Sequence, residues 1–284
     1  MPPSPPKMLA IGPFATDVIG AERRPGGAVS YTARAAHSFG TRLAILTIGD
    51  PDSLPPAFDG HDVTVVPDAT LTFSHATRGN DRELTVASQP SRALLASDLP
   101  QGWAQAETVM LMPLVPQDDC ASFAGIPSDG QRALVGQGLQ RALTSSSRIV
   151  ERSRPSTDLI RAFSTTTTLF LSEQETSGWT YEEMTLAIGR NARVVITRGA
   201  AGADIYGAGH DPIHIDVTLA EPVDTNGAGD VFATAFMLAL ARGDDDETAG
   251  RLASAYAAAC VEVVGPAELP PLAAIEARIG ATSS

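Results

Sequence analysis

The most informative stretch of the sequence is Val223-Asp224-Thr225-Asn226-Gly227-Ala228-Gly229-Asp230, which is followed directly by the apolar segment 231–236. Its glycines let successive backbone N–H groups face one concavity, and a helix start adds the positive end of its dipole. Such a concavity favours an anion, typically a phosphate. Asp230 stands beside it, where a carboxylate can take the proton of an attacking hydroxyl. The stretch therefore predicts the two features that a phosphoryl transferase requires, which are an anion-binding turn and a nearby base. Ordinary helix capping is the alternative that the spacing alone leaves open.

The composition is that of a globular protein with a strongly acidic balance. The chain has 284 residues, of which 43% are hydrophobic and 19% charged, enough to bury a substantial core. Its formal net charge of −13 argues against nucleic acid or an anionic membrane as a partner, because both require basic patches. ATP remains compatible with this charge, since magnesium and backbone dipoles screen its phosphates.

The cysteines, the histidines and the N-terminal segment further narrow the possible classes of protein. Cys120 and Cys260 are far apart in the sequence and lack metal-ligand spacing, so we expect two free thiols in a reducing compartment. The five histidines form no HxxxH pair on a helix, because His210 and His214 fall in a predicted loop-strand segment, and no structural metal site is indicated. Residues 1–7 are a flexible, proline-rich tail without the apolar core of a signal peptide, and no apolar run reaches the length of a membrane span. We expect a cytoplasmic protein.

Apolar runs and helical periodicity alternate along the chain. A strand at 8–11 precedes a helix at 29–39 and a buried strand at 43–48, which is the unit of an α/β sheet. Further strands are predicted at 108–112, 133–135, 168–171 and 193–197, and two apolar helices at 231–241 and 248–263. Residues 62–88 alternate in hydrophobicity around a turn at 78–81, which predicts an antiparallel hairpin near 71–88. No boundary divides two cores, so we expect one domain over 8–284.

The glycine-rich turn gains roles from a family resemblance. Asp-Thr-x-Gly-Ala-Gly-Asp closely resembles the C-terminal signature of the ribokinase-type (PfkB) carbohydrate kinases, and the resemblance runs from about residue 8 to residue 279. It implies a three-layer α/β/α fold with a mostly parallel central sheet and a β lid. It also implies that Asp230 is the catalytic base and that the backbone amides of Gly227, Ala228 and Gly229 form an anion hole.

The acceptor side of the resemblance lies near the N-terminus. Gly26-Gly27 matches the glycine pair at which the family brings backbone close to sugar hydroxyls, and Asp17 matches an early substrate-binding Asp. A loop Asp capping a turn is the equal alternative for Asp17. Tyr31 replaces the Asn that many sugar kinases carry, so the run from Gly26 to Tyr31 looks more like inositol-kinase-type relatives. Tyr31 either contacts the substrate or fills core space.

The nucleotide and metal side follows the later strands. Glu175 matches the Glu of the family's Asn-x-x-Glu motif, which implies an indirect role in ordering Mg²⁺, whereas Ser172 replaces the Asn and requires a different polar network. Thr197 and Gly199 resemble the family's Thr-x-Gly at the nucleotide site, with Arg198 as a further phosphate contact. Thr225, Gly227, Gly229 and Ser254 complete the implied nucleotide-binding set.

The loop between Asp17 and Gly26 departs from the family. Typical relatives insert a strand pair here that forms half of the lid and often a dimer interface. Eight intervening residues are expected to be too few for that, so the hairpin at 71–88 is predicted to form most of a reduced lid. Arg82 on this hairpin is a candidate substrate contact.

Three functions are compatible with these observations to different degrees. The first is an ATP- and Mg²⁺-dependent kinase that phosphorylates a hydroxyl of a small sugar, cyclitol or related polyol. A nucleoside kinase of the same fold and a non-catalytic sugar- or nucleotide-binding sensor are the alternatives. A dinucleotide-binding oxidoreductase is disfavoured because residues 12–15 lack the GxGxxG spacing. The oligomer is expected to be a monomer or a homodimer.

Overall fold

A computed structural model describes residues 5–78, 81–163, 167–207, 209 and 211–281. The strands, in chain order, are β1 (Met8–Ile11), β2 (Ala15–Ile19), β3 (Glu22–Gly26), β4 (Ala44–Gly49), β5 (Asp62–Pro67), β6 (Leu71–Arg78), β7 (Asp81–Ser88), β8 (Thr108–Leu111), β9 (Gln131–Val135), β10 (Arg141–Leu143), β11 (Ile149–Glu151), β12 (Thr167–Ser172), β13 (Arg193–Thr197), β14 (Ala203–Gly207) and β15 (Ile213–Ile215). The helices are α1 (Ala28–Phe39), α2 (Gln137–Gln140), α3 (Thr157–Ala162), α4 (Glu173–Thr176), α5 (Tyr181–Arg190), α6 (Ala228–Arg242), α7 (Asp246–Val261) and α8 (Leu272–Ala281).

A nine-stranded sheet forms the centre of the molecule in the order β15-β14-β13-β12-β9-β8-β1-β4-β5. The seven strands from β13 to β5 are parallel, and β14 and β15 continue the sheet antiparallel. Successive side chains of a strand point to opposite faces. In β1, Met8 and Ala10 accordingly pack in one core cluster while Leu9 and Ile11 pack in another.

Helices cover both faces of this sheet, as the predicted three-layer fold requires. The cluster on one face includes buried residues of α1, α6 and α7, and the cluster on the other includes Leu159 of α3 and Ala187 of α5. The two apolar helices predicted near the C-terminus are present as α6 and α7, which pack against each other. The α/β class with a mostly parallel sheet is confirmed.

The lid is larger than the sequence predicted. Strands β2 and β3 pair antiparallel around a two-residue turn in which Gly20 has a φ of 62°, and β2 also pairs parallel with β6. The resulting second sheet has four strands in the order β3-β2-β6-β7. The expectation of a reduced lid made from one hairpin is therefore wrong. A tight turn needs only two residues, so the segment 15–26 is long enough for two five-residue strands.

The predicted hairpin is formed by β6 and β7, whereas residues 62–67 pair with β4 at the edge of the central sheet. The turn residues 79–80 and the side chain of Arg82 lie outside the described residues, so the candidate role of Arg82 stays a prediction. The segment 144–156 contains β11, which pairs with β10. Val86 donates its backbone N–H to the Ser147 carbonyl at 2.9 Å, which ties this short hairpin to the lid.

The N-terminal segment is anchored where the structure describes it. The carbonyls of Pro6 and Lys7 accept hydrogen bonds from the backbone of Glu107 and Thr108 at 3.2 and 3.0 Å. The division into a tail and one domain over 8–284 stays a prediction. Among the helices in the described part of the chain, none combines the length and apolarity needed to cross a membrane.

Candidate active site

The predicted site residues come from separate elements that meet at the carboxyl edge of the parallel strands. Asp17 lies on lid strand β2, Gly27 starts α1, and Glu175 follows β12 in α4. Asp230 lies in the first turn of α6. Ligands of open α/β sheets bind outside the carboxyl ends of the strands.

The start of α6 is built as an anion cradle. Gly227 has left-handed backbone angles (φ 75°, ψ −3°), and no side chain caps the helix. The first intrahelical bond runs from the Val231 N–H to the Gly227 carbonyl at 2.9 Å. The amides of the preceding helical residues therefore project from the helix start. Asp224 steadies this turn, because its carboxylate accepts hydrogen bonds from the backbone of Asn226 at 3.0 Å and Gly265 at 3.2 Å.

Tyr31 packs against this cradle. A Cβ at Gly227 would overlap the Tyr31 ring, so the ring lies directly against the turn. Tyr31 is 5% exposed, and burial raises the pKa of its phenol, with Asp17, Asp224 and Asp230 adding to the rise. The ring therefore fills space beneath the turn at Gly227, and a substrate contact by Tyr31 stays a prediction.

Asp230 has the electrostatics of a general base. Burial raises the pKa of its carboxyl to about 7, Arg141 opposes that rise, and Glu175 adds to it. The residue as a whole is half-buried. A base is most effective when its pKa lies near the working pH. Its main chain is fixed by Thr234, whose hydroxyl donates to the Asp230 carbonyl at 2.8 Å.

Arg141 is a residue that the sequence interpretation missed. It is buried at the start of β10, and burial lowers the pKa of its guanidinium while the carboxylates of Glu151, Glu175, Asp230 and Asp17 oppose that change. The signal available in the sequence was Gly136-Gln137-Gly138, a glycine-containing turn directly after a buried strand, with a single Arg three residues further on.

Asp17 lies on a lid strand, in neither the loop nor the cap that sequence reasoning offered as the alternative. One carboxylate oxygen accepts a hydrogen bond from His75 Nε2 at 2.7 Å, and the other lies where a Cβ of Gly26 would be. Gly26 is therefore a glycine because the Asp17 carboxylate occupies that space. His75, on β6, is a second residue that the sequence interpretation missed, and no local motif marks it. Gly27 is equally constrained, since its Cβ would lie 2.8 Å from the Ala15 backbone nitrogen.

Glu175 and Ser172 form a closed capping box. Ser172 Oγ accepts from the Glu175 N–H at 3.2 Å, and the Glu175 carboxylate accepts from the Ser172 N–H at 2.7 Å. Ser172 thus replaces the missing Asn by capping the helix directly. Burial raises the pKa of Glu175 to about 7, and the neighbouring Glu151 adds to the rise.

In the described part of the chain, a metal ion would need oxygen ligands from a bound phosphate as well as from the protein. Among the described residues, no group of three or more His, Cys, Asp or Glu side chains could hold a metal ion. Mg²⁺ commonly keeps several waters and binds through one or two carboxylates together with substrate phosphates. Glu175 offers one buried carboxylate beside Asp230, and a divalent cation near it would favour its ionised form. The donor set fits the indirect role predicted for Glu175.

The nucleotide-side residues lie at the ends of β13 and in α7. Thr197 ends β13 beside Ser172, and Gly199 is exposed with a φ of 55°. Arg198 is less available for phosphate than expected. Its guanidinium donates to Asp204 at 2.7 Å and also to Glu173 and Tyr206.

Ser254 has an internal task. Its hydroxyl accepts from the Thr218 N–H at 2.8 Å and donates to the Asp216 carbonyl at 3.0 Å, which fastens the segment after β15 to α7. Thr225 is exposed in the anion turn. Leu219 and Val223, on the same connection, are 77% and 66% exposed and provide apolar surface beside the turn.

The fold and this cleft together define a class of protein, and comparisons with known proteins identify it. The pfkB family carbohydrate kinase model matches residues 70–272. The chain belongs to this family.

Curated relatives match over a shorter stretch. A segment of the chain is 46% identical over 70 residues to ribokinase of Bacillus subtilis, covering 25% of this chain and 24% of that protein. Another match is 47% identical over 72 residues to nucleoside kinase of Methanothermobacter thermautotrophicus, covering 25% of this chain and 23% of that protein. The matched part spans about a quarter of the length of these relatives.

Solved structures match over nearly the whole chain. A structure from the conversion of a pyrophosphate-dependent myo-inositol-1 kinase into a myo-inositol-3 kinase has a TM-score of 0.76 at 16% identity, covering 98% of this chain and 100% of that one. Arabidopsis thaliana ribokinase complexed with ribose and ATP has a TM-score of 0.74 at 18% identity, covering 97% of this chain and 99% of that one. These similarities establish the ribokinase fold.

Proposed function

We propose that the protein is a phosphotransferase that transfers the γ-phosphoryl group of ATP to a hydroxyl of a small sugar, cyclitol or related polyol. The observation that carries this proposal is Asp230, a carboxyl group with a pKa raised to about 7 in the first turn of α6. Proton acceptor and anion cradle are thus neighbours on one rigid helix start.

One set of residues serves the acceptor hydroxyl, and another serves the phosphoryl donor. Asp17 and the backbone at Gly26 and Gly27 bind acceptor hydroxyls under the lid. Asp230 removes the proton of the reacting hydroxyl, and the amides of Ala228 and Gly229 stabilise the charge on the phosphoryl group. Thr197, Gly199, Thr225 and Ser254 belong to the donor side. Bound Mg²⁺ would neutralise phosphate charge, with Glu175 as its indirect protein partner.

ATP is favoured as the donor by exposed apolar surface. Leu219 and Val223 are exposed beside the anion turn, and Val264 is 46% exposed after α7. Apolar side chains at this place suit an adenine ring, whereas a pyrophosphate donor would gain nothing from them. The fold is shared with a pyrophosphate-dependent inositol kinase as well as with ATP-bound ribokinase, so both donors belong in the test.

A panel of donor and acceptor pairs tests the proposal. Ribose, myo-inositol and inosine are each incubated with ATP or pyrophosphate, with Mg²⁺ or with a chelator, and product is identified by mass spectrometry. We expect phosphorylated product with ATP and Mg²⁺ for ribose or myo-inositol. Turnover of inosine alone would favour the nucleoside kinase alternative. Ligand binding without any product would refute the kinase and support the non-catalytic sensor.

A further inference from the structure

Arg141 is a buried cation with one hydrogen-bond donor left unpaired by the described residues. The residue is 8% exposed, and Nη1 donates to the Leu114 carbonyl at 2.9 Å. Nε is 3.9 Å from Glu151 Oε1, too far for a hydrogen bond, and has no hydrogen-bond partner among the described residues. A buried donor left unpaired costs about 1–3 kcal/mol, and more for a charged group. Such an arrangement points to a ligand that completes it.

The guanidinium is fixed in place before any ligand binds. It lies 5.8 Å from the centre of the Phe73 ring on lid strand β6. The segment leading to it is also fixed, because the Gly138 backbone packs closely on the Pro113 backbone and Gln140 donates to the Glu175 carbonyl at 3.0 Å. A group held in this way loses little entropy on binding.

The position of the guanidinium follows from its neighbours. Leu114 follows β8 at the carboxyl edge of the sheet, and Phe73 belongs to lid strand β6. The negative charges of Asp230 and Asp17 both act on the Arg141 guanidinium. Arg141 therefore lies between the carboxyl edge of the sheet and the lid, within electrostatic reach of the proposed base and of the acceptor-binding carboxylate.

We propose that Arg141 is a catalytic residue that binds the phosphoryl group during transfer, opposite the amides of Ala228 and Gly229. This inference rests on the proposed function. The acceptor hydroxyl gives its proton to Asp230, and its oxygen forms the new bond to phosphorus. The bond between phosphorus and the donor oxygen breaks, and ADP leaves with that electron pair. Arg141 exchanges no proton and stabilises the charge on the phosphoryl oxygens.

The alternative to a direct contact is that Arg141 affects turnover only through the pKa of Asp230. Arg141 lowers the pKa of Asp230, so its removal would raise that pKa even if it never touched substrate. An indirect role predicts a pH–rate profile that shifts to higher pH and reaches the wild-type plateau. A direct contact predicts that the plateau itself falls.

The variants are Arg141→Met, which removes the charge at similar length, and Arg141→Lys, which keeps the charge and loses the planar fork. Arg193→Met is the matched control. Arg193 is a half-buried Arg at the amino end of β13, away from the carboxyl edge of the sheet, and its guanidinium pairs with Asp246 at 2.7 Å. We expect the kcat plateau to fall by about 10²–10³ in Arg141→Met, less in Arg141→Lys, and within two-fold of wild type in the control. A wild-type plateau in Arg141→Met at high pH would overturn the proposal.

Binding of inorganic phosphate, measured by calorimetry, provides a test without turnover. We expect at least ten-fold weaker binding to Arg141→Lys than to wild type, and unchanged affinity would count against the contact. If Arg141→Met fails to fold, Arg141→Lys carries both tests, and a wild-type kcat in that variant overturns the assignment. Absence of product from wild-type protein would instead refute the kinase, while phosphate affinity would still decide the role of Arg141.

Discussion

Asp230→Asn is the perturbation with the most informative consequences, because it affects turnover and stability in opposite directions. The substitution keeps the size of the side chain and removes its ability to accept a proton. Loss of a general base costs about 10²–10⁴ in rate. We expect kcat to fall by that factor while nucleotide affinity stays within a few-fold, because the amides of the anion cradle are unchanged.

The stability effect follows from the pKa of Asp230. Its folded-state value of about 7 lies above the ordinary value of 3.8, so the folded protein keeps a proton that the unfolded chain releases. This contribution is neutral below pH 3.8, becomes a penalty that grows between pH 3.8 and about 7, and is constant above pH 7. At ~1.4 kcal/mol per pKa unit, and reduced by the partial access of the residue to water, the penalty at pH 8 is roughly 1–3 kcal/mol. Asparagine carries no charge and removes it.

Urea unfolding at pH 4 and pH 8 measures this effect. We expect Asp230→Asn to raise the free energy of unfolding relative to wild type at pH 8 and to change it little at pH 4. The exposed Asp59→Asn is the control and should change neither stability nor turnover. Wild-type turnover in Asp230→Asn would refute the assignment of the base, and equal gains at both pH values would refute its electrostatic explanation.

Four further variants test the residues around the site. Gly227→Ala would place a Cβ into the Tyr31 ring at a φ of 75°, so we expect a lower kcat and a lower melting temperature. A Cβ at Gly229 meets open space, so Gly229→Ala should keep the wild-type melting temperature. Equal melting temperatures in the two variants would contradict this geometry. His75→Leu releases one oxygen of Asp17, so acceptor KM should rise several-fold with kcat within three-fold of wild type, and an unchanged KM in steady-state kinetics would dismiss the positioning role. Arg198→Met should leave donor KM within three-fold, because that guanidinium is held by carboxylates, and a ten-fold rise would show a phosphate contact instead.

The elements that sequence predicted well are those whose pattern is local. Apolar runs and helix periodicity located six of the seven parallel strands as well as α6 and α7, and the turn at Gly227 carries its own conformational requirement in the left-handed backbone. The β2–β3 pair was missed because each strand has only five residues and β3 (ERRPG) shows no alternation of apolar and polar residues. A two-residue turn at Gly20 was sufficient to join them, and counting intervening residues underestimated what such a turn permits.

The missed site residues depend on contacts that the sequence does not display. Arg141 lies 89 residues before Asp230, and His75 lies 58 residues after Asp17, so neither pair leaves a local pattern. A buried Arg is unusual enough to be informative, but its burial becomes visible only when the lid and the sheet are assembled.

Lid strand β6 links these two missed residues. Phe73 and His75 are two positions apart and therefore lie on the same face of the strand. One ring packs against the Arg141 guanidinium, and the other donates to the Asp17 carboxylate. A displacement of β6 would consequently disturb both a cation and an anion that face the cleft. Acceptor binding beneath the lid and the charge beside the phosphoryl group are thus coupled through one strand, which explains why His75→Leu and Arg141→Met should not be additive in kcat/KM when combined. Additive losses in the double variant would show that the two sides of the cleft act independently.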